Sequence, residues 1–152
     1  MNNPMNSNVL SPCAGVIVFK LSPGNDKCVI VKAKSKGEFS QPNFGFPKGK
    51  RHKNETIEQC AFRELYEETG ISLAQITLVD NVHLIELSDR GNIATTYLIG
   101  KFIDIEHEHV FTFDHDELES SELISVDRAY ELVKRSRSDI LHEAYNIIMT
   151  QN

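Results

Sequence analysis

The segment from residue 56 to residue 70 constrains the fold of this chain more than any other feature. Its apolar residues recur at spacings of three and four, which is the period of an amphipathic α-helix. They are Ile57, Cys60, Ala61 and Leu65. Thr56 and Gln59 have the residue types of a capping box, and Gly70 supplies the left-handed residue that commonly ends a helix. The sequence therefore predicts a capped helix over residues 56–69 with one face packed against a core.

The opposite face of this predicted helix is acidic. Glu64, Glu67 and Glu68 occupy positions i, i+3 and i+4, so three carboxylates project from one face within a single turn. Carboxylates this close repel one another unless cations neutralise them, and hard oxygen ligands suit Mg²⁺ or Mn²⁺. We therefore predict that the three glutamates bind divalent metal. An acidic solvent-exposed face is the alternative, which the fixed orientation of the helix disfavours.

Three residues beside the acidic face extend the candidate site. Arg63 lies four residues before Glu67 and eight after Glu55. At this position Arg63 could form a charge-assisted, bidentate pair with one of these carboxylates and so orient it. Glu55 is predicted to be a structural support. Gly49 permits a sharp backbone turn that brings a carbonyl oxygen near the same metal ions, so it is predicted as a further ligand.

These residue types predict a reaction class. Metal ions that bridge a pyrophosphate lower the pKa of a bound water and neutralise charge on the leaving phosphate, which is the metal-assisted route to hydrolysis. Arg63 would act by orienting a carboxylate. The general base stays open among Glu64, Glu67 and Glu117.

The rest of the chain predicts a mixed α/β sandwich in a single domain. Predicted strands span residues 13–20, 28–33, 76–87, 92–102, 110–113 and 122–125, and predicted helices span residues 126–134 and 138–149. The first two strands flank a turn and form a hairpin, while residues 34–48 form a loop without regular structure. Residues 1–11 are expected to be a flexible tail, and residues 12–152 the domain.

The charge distribution limits the class of ligand. The formal net charge of −6 argues against the broad basic surface of a protein that binds duplex DNA. Positive residues nevertheless cluster before the predicted helix, at Lys32, Lys34, Lys36, Lys48, Lys50, Arg51 and Lys53. Such a cluster suits a polyphosphate-containing nucleotide, so Lys32, Lys48, Lys50 and Phe46 are predicted to bind substrate. A solvated loop is the alternative interpretation.

Cysteine content and hydropathy favour a cytoplasmic protein. Three cysteines without paired spacing indicate no disulfide framework, and the N-terminus has no apolar signal segment. No run approaches the roughly 18 apolar residues of a membrane span. We expect reduced thiols and no membrane partner, while the oligomeric state is not predicted by any feature of the sequence.

Two further groups of residues have competing interpretations. His107 and His109 alternate with glutamates, which is more typical of a solvated strand edge than of a metal site. The aromatic residues Phe39, Phe44, Phe46 and Tyr97 suit either stacking on a nucleobase or packing in a core.

Residues 49–71 as a whole resemble the Nudix box. The segment begins with Gly49, and Glu55 follows after five intervening residues. Seven further residues separate Glu55 from the continuous stretch RELYEETGI, which runs from Arg63 to Ile71. The segment therefore meets every position of that motif. The resemblance implies an α/β/α sandwich that hydrolyses nucleoside diphosphates linked to another moiety with Mg²⁺ or Mn²⁺. It also implies that Glu64, Glu67, Glu68 and the Gly49 backbone are metal ligands, supported by Glu55 and Arg63.

A narrower resemblance concerns the residues around the box. The stretches FGFPKGK (residues 44–50) and CAFRE (residues 60–64) are similar to those of messenger-RNA decapping enzymes, in which a glutamate beyond the box assists catalysis. Glu117 has a similar spacing before the last predicted strand. This resemblance implies cap removal from capped RNA. Hydrolysis of diadenosine tetraphosphate or of a diphosphoinositol polyphosphate is the alternative, and a catalytically silent nucleotide-binding module is a third hypothesis that the intact carboxylates disfavour.

Overall fold

The chain folds into one mixed sheet with helices on both faces. The computed structural model describes residues 11–34 and 43–151. In these ranges the strands are β1 (Cys13–Lys20), β2 (Lys27–Ala33), β3 (Asn43–Gly45), β4 (Lys48–Lys50), β5 (Ile76–Leu78), β6 (Leu84–Leu87), β7 (Ile93–Phe102) and β8 (Leu118–Ser125). The helices are α1 (Ile57–Thr69), α2 (Val126–Leu132) and α3 (Arg135–Thr150), with one 3₁₀ turn at Leu73–Gln75.

The centre of the sheet is a parallel pair. β1 and β7 run side by side, from Cys13 opposite Thr95 to Phe19 opposite Lys101. All other strand pairs among the described residues are antiparallel, including the predicted hairpin of β1 and β2. The main order is β3-β2-β1-β7-β5, while β4, β6 and β8 pair with β1, β7 and β2. The expected mixed sheet is therefore confirmed.

Two apolar layers cover the two faces of this sheet. Successive residues of a strand point to opposite faces, so Ile17 and Phe19 join one layer whereas Val16 and Val18 join the other. The first layer includes the buried residues of α2 and α3. The second includes the apolar face of α1. This arrangement confirms the predicted α/β/α sandwich. Among the helices of residues 11–34 and 43–151, α1 lies on one side of the sheet, and α2 and α3 lie on the other.

Some predicted boundaries were wrong. Residues 110–113 form no strand, because the Thr112 amide donates to the Thr69 carbonyl at 3.2 Å, at the end of α1, and not to a neighbouring strand. The predicted strand over residues 76–87 is divided into β5 and β6 by a turn in which Asn81 has φ 60°. Both parts still pair with β7. The predicted loop over residues 34–48 contains β3 and the start of β4, which are too short to show a strand period.

Ser11 is the one residue of the predicted tail that the structure describes. Ser11, expected in the tail, is fully buried, and its hydroxyl donates to the Cys13 carbonyl at 2.7 Å. The other ten residues of the predicted tail lie outside the described residues. No helix in the described ranges is both long enough and apolar enough to cross a bilayer.

Candidate active site

The acidic face of α1 is held in place by the two ends of the helix. The Thr56 side chain accepts from the Gln59 amide at 3.1 Å, and the Gln59 side chain accepts from the Thr56 amide at 3.0 Å, so the predicted capping box is present. At the other end Gly70 has φ 77° and its amide donates to the Tyr66 carbonyl at 2.8 Å. With both ends and the apolar face fixed, the glutamates face β4 and the start of β8.

Gly49 brings β4 directly against this acidic face. A Cβ atom at this position would lie 2.1 Å from the Cδ of Glu64, so only glycine permits the approach. The Gly49 carbonyl also faces α1, where the Cys60 thiol donates to it at 3.5 Å. Gly49 lies within a strand and is not one of the glycines with positive φ. The sharp turn predicted at Gly49 is therefore wrong, since close packing is the reason for glycine here.

Arg63 connects three glutamates. Its Nε and Nη2 atoms donate to the two carboxylate oxygens of Glu55 at 2.6 and 2.9 Å, which is the bidentate geometry expected of a strong charge-assisted pair. Its Nη1 atom lies 2.9 Å from Glu64 Oε1 and 3.1 Å from Glu67 Oε2. Nη2 also donates to the Lys50 carbonyl at 2.9 Å. A single guanidinium therefore joins the loop before α1 to the acidic face.

The ion pair changes the acidity of Glu55. The hydrogen bonds from Arg63 lower the pKa of Glu55 to about 2, helped by the amide of His52, which donates at 2.9 Å. The same contacts raise the pKa of Arg63 above its already high ordinary value. Both groups are thus charged throughout the range in which proteins are normally studied.

The two carboxylates nearest the sheet have the opposite tendency. Burial raises the pKa of Glu68 to about 8, even though the Lys48 amide donates to its Oε1 at 3.0 Å. Burial also raises the pKa of Glu64, against the hydrogen bond from Arg63. The negative charge of Glu117 contributes to both increases, so the fold brings Glu117 within electrostatic range of the helix face.

The chemical groups on this helix face suit a divalent cation. Half-buried carboxylates that repel one another offer hard oxygen donors with unneutralised charge, which is the environment that Mg²⁺ and Mn²⁺ prefer. In the described part of the chain no three acidic, histidine or cysteine side chains converge tightly enough to enclose an ion as they now lie. Arg63 instead holds Glu64 and both oxygens of Glu67.

The predicted substrate residues occupy different surroundings. Lys48 lies beside Glu68 and lines the space next to it, and Lys50 is exposed at the end of β4. Lys32 pairs with Glu119 at 2.9 Å and lies over the Phe44 ring at 5.4 Å. Phe46 is 1% exposed and packs edge-on against Tyr97, which corrects the expectation that it contacts substrate.

Tyr97 and His109 have structural positions. Tyr97 is fully buried in the core, and Phe39 lies outside the described residues. His109 is packed beside Phe111, and its Nε2 is 2.7 Å from the Thr69 carbonyl. It therefore supports the end of α1 and is not at the strand edge that the alternation of residues predicted.

Sequence reasoning missed a buried charged pair next to the site. Glu86 and Arg137 are 4% and 5% exposed, and Arg137 Nε lies 3.2 Å from Glu86 Oε2. The Tyr97 hydroxyl donates to the same carboxylate at 2.7 Å. Despite burial, that hydrogen bond and the charge of Arg137 hold the pKa of Glu86 below its usual range. The one signal in the sequence was an acidic residue on the same strand face as the buried Leu84.

A profile of the NUDIX domain matches residues 11–143, which is most of the chain. The chain belongs to the Nudix family. Its box therefore runs from Gly49 in β4 to Ile71 just after α1, and the acidic face described above is the acidic face of the box helix.

Curated Nudix relatives match parts of the chain. The mRNA decapping complex subunit 2 of Schizosaccharomyces pombe is 35% identical over 88 residues, which are 58% of this chain and 11% of that protein. The mRNA-decapping enzyme subunit 2 of Arabidopsis thaliana is 34% identical over 65 residues, 43% of this chain and 16% of that protein. The 8-oxo-dGTP diphosphatase of Proteus vulgaris is 57% identical over 37 residues, 24% of this chain and 33% of that protein. The matched segments thus span a third or less of each relative.

Solved structures agree on the fold. A binary complex of the Caenorhabditis elegans Ap4A hydrolase superposes with a TM-score of 0.77 at 17% identity, covering 91% of this chain and 99% of that one. The Nudix hydrolase RenU of M. smegmatis gives 0.69 at 15% identity, covering 93% and 89%. The NUDIX domain of Shewanella oneidensis NrtR, crystallised with ADP ribose, gives 0.65 at 15% identity, covering 91% and 88%. At these identities the likeness establishes the sandwich alone.

Proposed function

We propose that this Nudix protein is a divalent-metal-dependent hydrolase that removes the cap of messenger RNA by cleaving a pyrophosphate bond. The main support for this substrate is sequence similarity to two decapping subunits. The identity is 35% over 88 residues with the Schizosaccharomyces pombe protein and 34% over 65 residues with the Arabidopsis thaliana protein. Positive residues between Lys48 and Lys53 give an otherwise acidic protein a local surface for RNA phosphates. The three free thiols fit a cytoplasmic compartment.

The metal ligands in this proposal are Glu64, Glu67, Glu68 and the Gly49 carbonyl. An Mg²⁺ or Mn²⁺ ion bound there would neutralise charge on the pyrophosphate and lower the pKa of a water molecule. For Glu64 and Glu67 to ligate it, their carboxylates turn away from Arg63, which keeps its bidentate pair with Glu55. Arg63 thus acts as a positioning residue that holds the acidic face together before the ion binds.

Glu64 and Glu117 are the two candidates for the general base, on grounds of position and acidity. The Glu64 side chain is 12% exposed, and its burial raises the pKa of the carboxyl group, which makes the carboxylate a stronger base. Glu117 is exposed in the turn immediately before β8 and lies within electrostatic range of Glu64 and Glu68. Glu117→Gln distinguishes the two, because loss of a base removes the acidic limb of the pH profile of kcat, whereas loss of a neighbouring charge only displaces that limb.

The test is product release from cap-labelled RNA by the purified protein with Mg²⁺ or Mn²⁺. We expect release of methylated guanosine diphosphate, and a fall in kcat of at least about 100-fold in Glu67→Gln and in Glu68→Gln. Glu58→Gln is the matched control, because Glu58 lies in the first turn of the same helix and pairs with His83, not with Arg63. That variant should retain kcat within about twofold.

Other substrates in the same assay give the outcomes that would contradict the proposal. Cleavage of diadenosine tetraphosphate or of a diphosphoinositol phosphate without cleavage of capped RNA would replace decapping with a small-molecule activity. No turnover of any substrate, together with metal-independent nucleotide binding, would support the catalytically silent module instead.

A further inference from the structure

The connection between β7 and β8 passes over the end of the box helix. It spans residues 103–117, all of which the structure describes, and none of them lies in a helix or strand. Irregular connections of about 15 residues are uncommon in compact domains and usually have a function. This connection ends at Glu117, so the contacts that fix its path also fix where that carboxylate lies.

His109 ties the middle of the connection to the last residue of α1. Its Nε2 lies 2.7 Å from the Thr69 carbonyl oxygen, and its Nδ1 lies 3.1 Å from the side-chain nitrogen of Gln75. The side-chain oxygen of Gln75 accepts from the Ser72 amide at 2.9 Å, so the nitrogen faces the imidazole. Because a carbonyl oxygen only accepts and an amide nitrogen only donates, Nε2 carries the proton and Nδ1 accepts. One imidazole tautomer therefore satisfies both contacts.

Aromatic packing and a second hydrogen bond complete this anchor. The centroid of the His109 ring lies 6.1 Å from that of Phe102 and 4.7 Å from that of Phe111. Phe111 packs against the apolar layer under α1. The amide of Thr112, the next residue, donates to the Thr69 carbonyl at 3.2 Å. Two donors from the connection thus share a carbonyl of the last helical turn, where an α-helix leaves its carbonyls without helical partners.

Glu117 lies a short distance along the chain from this anchor. Its amide donates to the Asp114 carbonyl at 3.1 Å, and its carbonyl accepts from the Lys34 amide at 3.2 Å. Its side chain is exposed, and its charge acts on the two buried glutamates of the box. An extended residue spans at most about 3.6 Å, so the few residues between Thr112 and Glu117 limit how far the carboxylate can move from the end of α1.

We propose that His109 is a positioning residue, which anchors the β7–β8 connection to the end of α1 and thereby holds Glu117 at the acidic face. The proposal rests on the proposed hydrolase function, in which Glu117 is a candidate for the general base. His109 acts through Glu117 and not by contact with the substrate, so its contribution appears in kcat and not in KM.

The first experiment needs neither metal nor turnover. His109→Phe keeps an aromatic ring but removes both hydrogen bonds of the imidazole. In hydrogen exchange of the metal-free protein, followed by NMR, the Thr112 and Glu117 amides should exchange about five- to tenfold faster in this variant, because the connection opens more often. The amides of β1, at the centre of the sheet, should exchange as in wild type. Unchanged exchange at Glu117 would overturn the anchor.

Further substitutions test the chemistry of the contact. His109→Gln keeps an amide that can donate to the Thr69 carbonyl, so exchange at Glu117 should return to within about twofold of wild type. Failure of this variant to slow the exchange would overturn the role of the hydrogen bond. His109→Ala repeats the test if His109→Phe does not fold.

His107→Ala is the matched control within the same connection. His107 is exposed, and its backbone carbonyl, which the substitution leaves in place, accepts from Lys20 Nζ at 3.2 Å. This variant should leave the exchange at Glu117 unchanged. Exchange as fast as in His109→Phe would show that any substitution in the connection loosens it, and would overturn the specific role of His109.

The second experiment tests whether the anchor acts through Glu117. With the substrate that the wild type hydrolyses, His109→Phe should lower kcat about five- to tenfold with KM within about twofold, and Glu117→Gln should lower kcat at least as much. The double variant should match Glu117→Gln within about twofold, because the anchor then has no carboxylate to position. Additive losses, an unchanged kcat in either single variant, or a change in KM alone would reject the positioning role.

The two experiments distinguish failure of this inference from failure of the proposed function. Faster exchange at Glu117 in His109→Phe, in a protein that hydrolyses no substrate, would keep the anchor and reject the enzyme activity. Hydrolysis by the wild type with additive losses in the double variant would keep the activity and reject the positioning of Glu117 by His109.

Discussion

The Glu55–Arg63 pair allows a quantitative prediction about stability. Glu55→Gln removes the charge but leaves an amide oxygen of nearly the same size. The pKa of Glu55 falls from an ordinary 4.5 to about 2 in the folded protein, and its side chain is only 12% exposed, so solvent screening is small. That difference corresponds to about 3 kcal/mol in favour of the folded state at neutral pH. Because glutamine still accepts a hydrogen bond, we expect Glu55→Gln to lower the free energy of unfolding by about 2 kcal/mol.

The pH dependence of this effect has a defined sign. A carboxylate whose pKa is lowered by folding contributes its full stability above its unfolded pKa of 4.5, and loses it as the pH falls through its folded pKa of about 2. Urea unfolding of wild type and Glu55→Gln should therefore differ most at pH 7 and by less than half as much at pH 3.

A control separates this pair from an ordinary surface ion pair. Arg128 and Glu131 are also in contact, at 2.8 Å, but their side chains are 60% and 67% exposed. Glu131→Gln should change the free energy of unfolding by less than about 1 kcal/mol at any pH. A difference between wild type and Glu55→Gln that is absent at pH 7, or that stays constant down to pH 3, would refute the assigned pKa and the reasoning from the contacts.

Three further substitutions give testable outcomes. Gly49→Ala places a methyl group where the Glu64 carboxylate now lies, so turnover should fall at least about 100-fold while circular dichroism still shows a folded protein. Gly70→Ala puts a side chain at φ 77° and within 2.5 Å of Thr112 Oγ1, which should lower thermal stability by about 1 to 2 kcal/mol. Arg137→Met leaves a buried carboxylate without its partner and should cost about 3 to 5 kcal/mol in urea unfolding at neutral pH.

The box helix was predictable because its determinants are local. The capping box, Gly70 and the spacing of apolar residues all act within 15 residues, and each is present in the structure. The Arg63 contacts followed in the same way from spacings of four and eight residues. Short-range geometry of this kind is set by the helical period and needs no knowledge of the rest of the fold.

The errors concern residues whose surroundings come from distant parts of the chain. Residues 110–113 have a strand-like composition, yet their backbone bonds to the end of α1, which lies about 40 positions earlier. Phe46 was predicted to bind substrate, with core packing as the alternative, and its ring is buried against Tyr97 from a distant strand. The partner of Glu86 is 51 residues away at Arg137, and no local pattern reports such a pair.

The position of Arg137 shows how the region outside the box shapes the site inside it. Its Nη1 donates to the Phe44 carbonyl and lies 2.9 Å from where a Gly45 side chain would begin, so α3 supports β3 directly. Lys48 is the third residue beyond β3, and its amide contacts Glu68. Arg137 therefore connects α3, which lies outside the box, to the strand that leads into it.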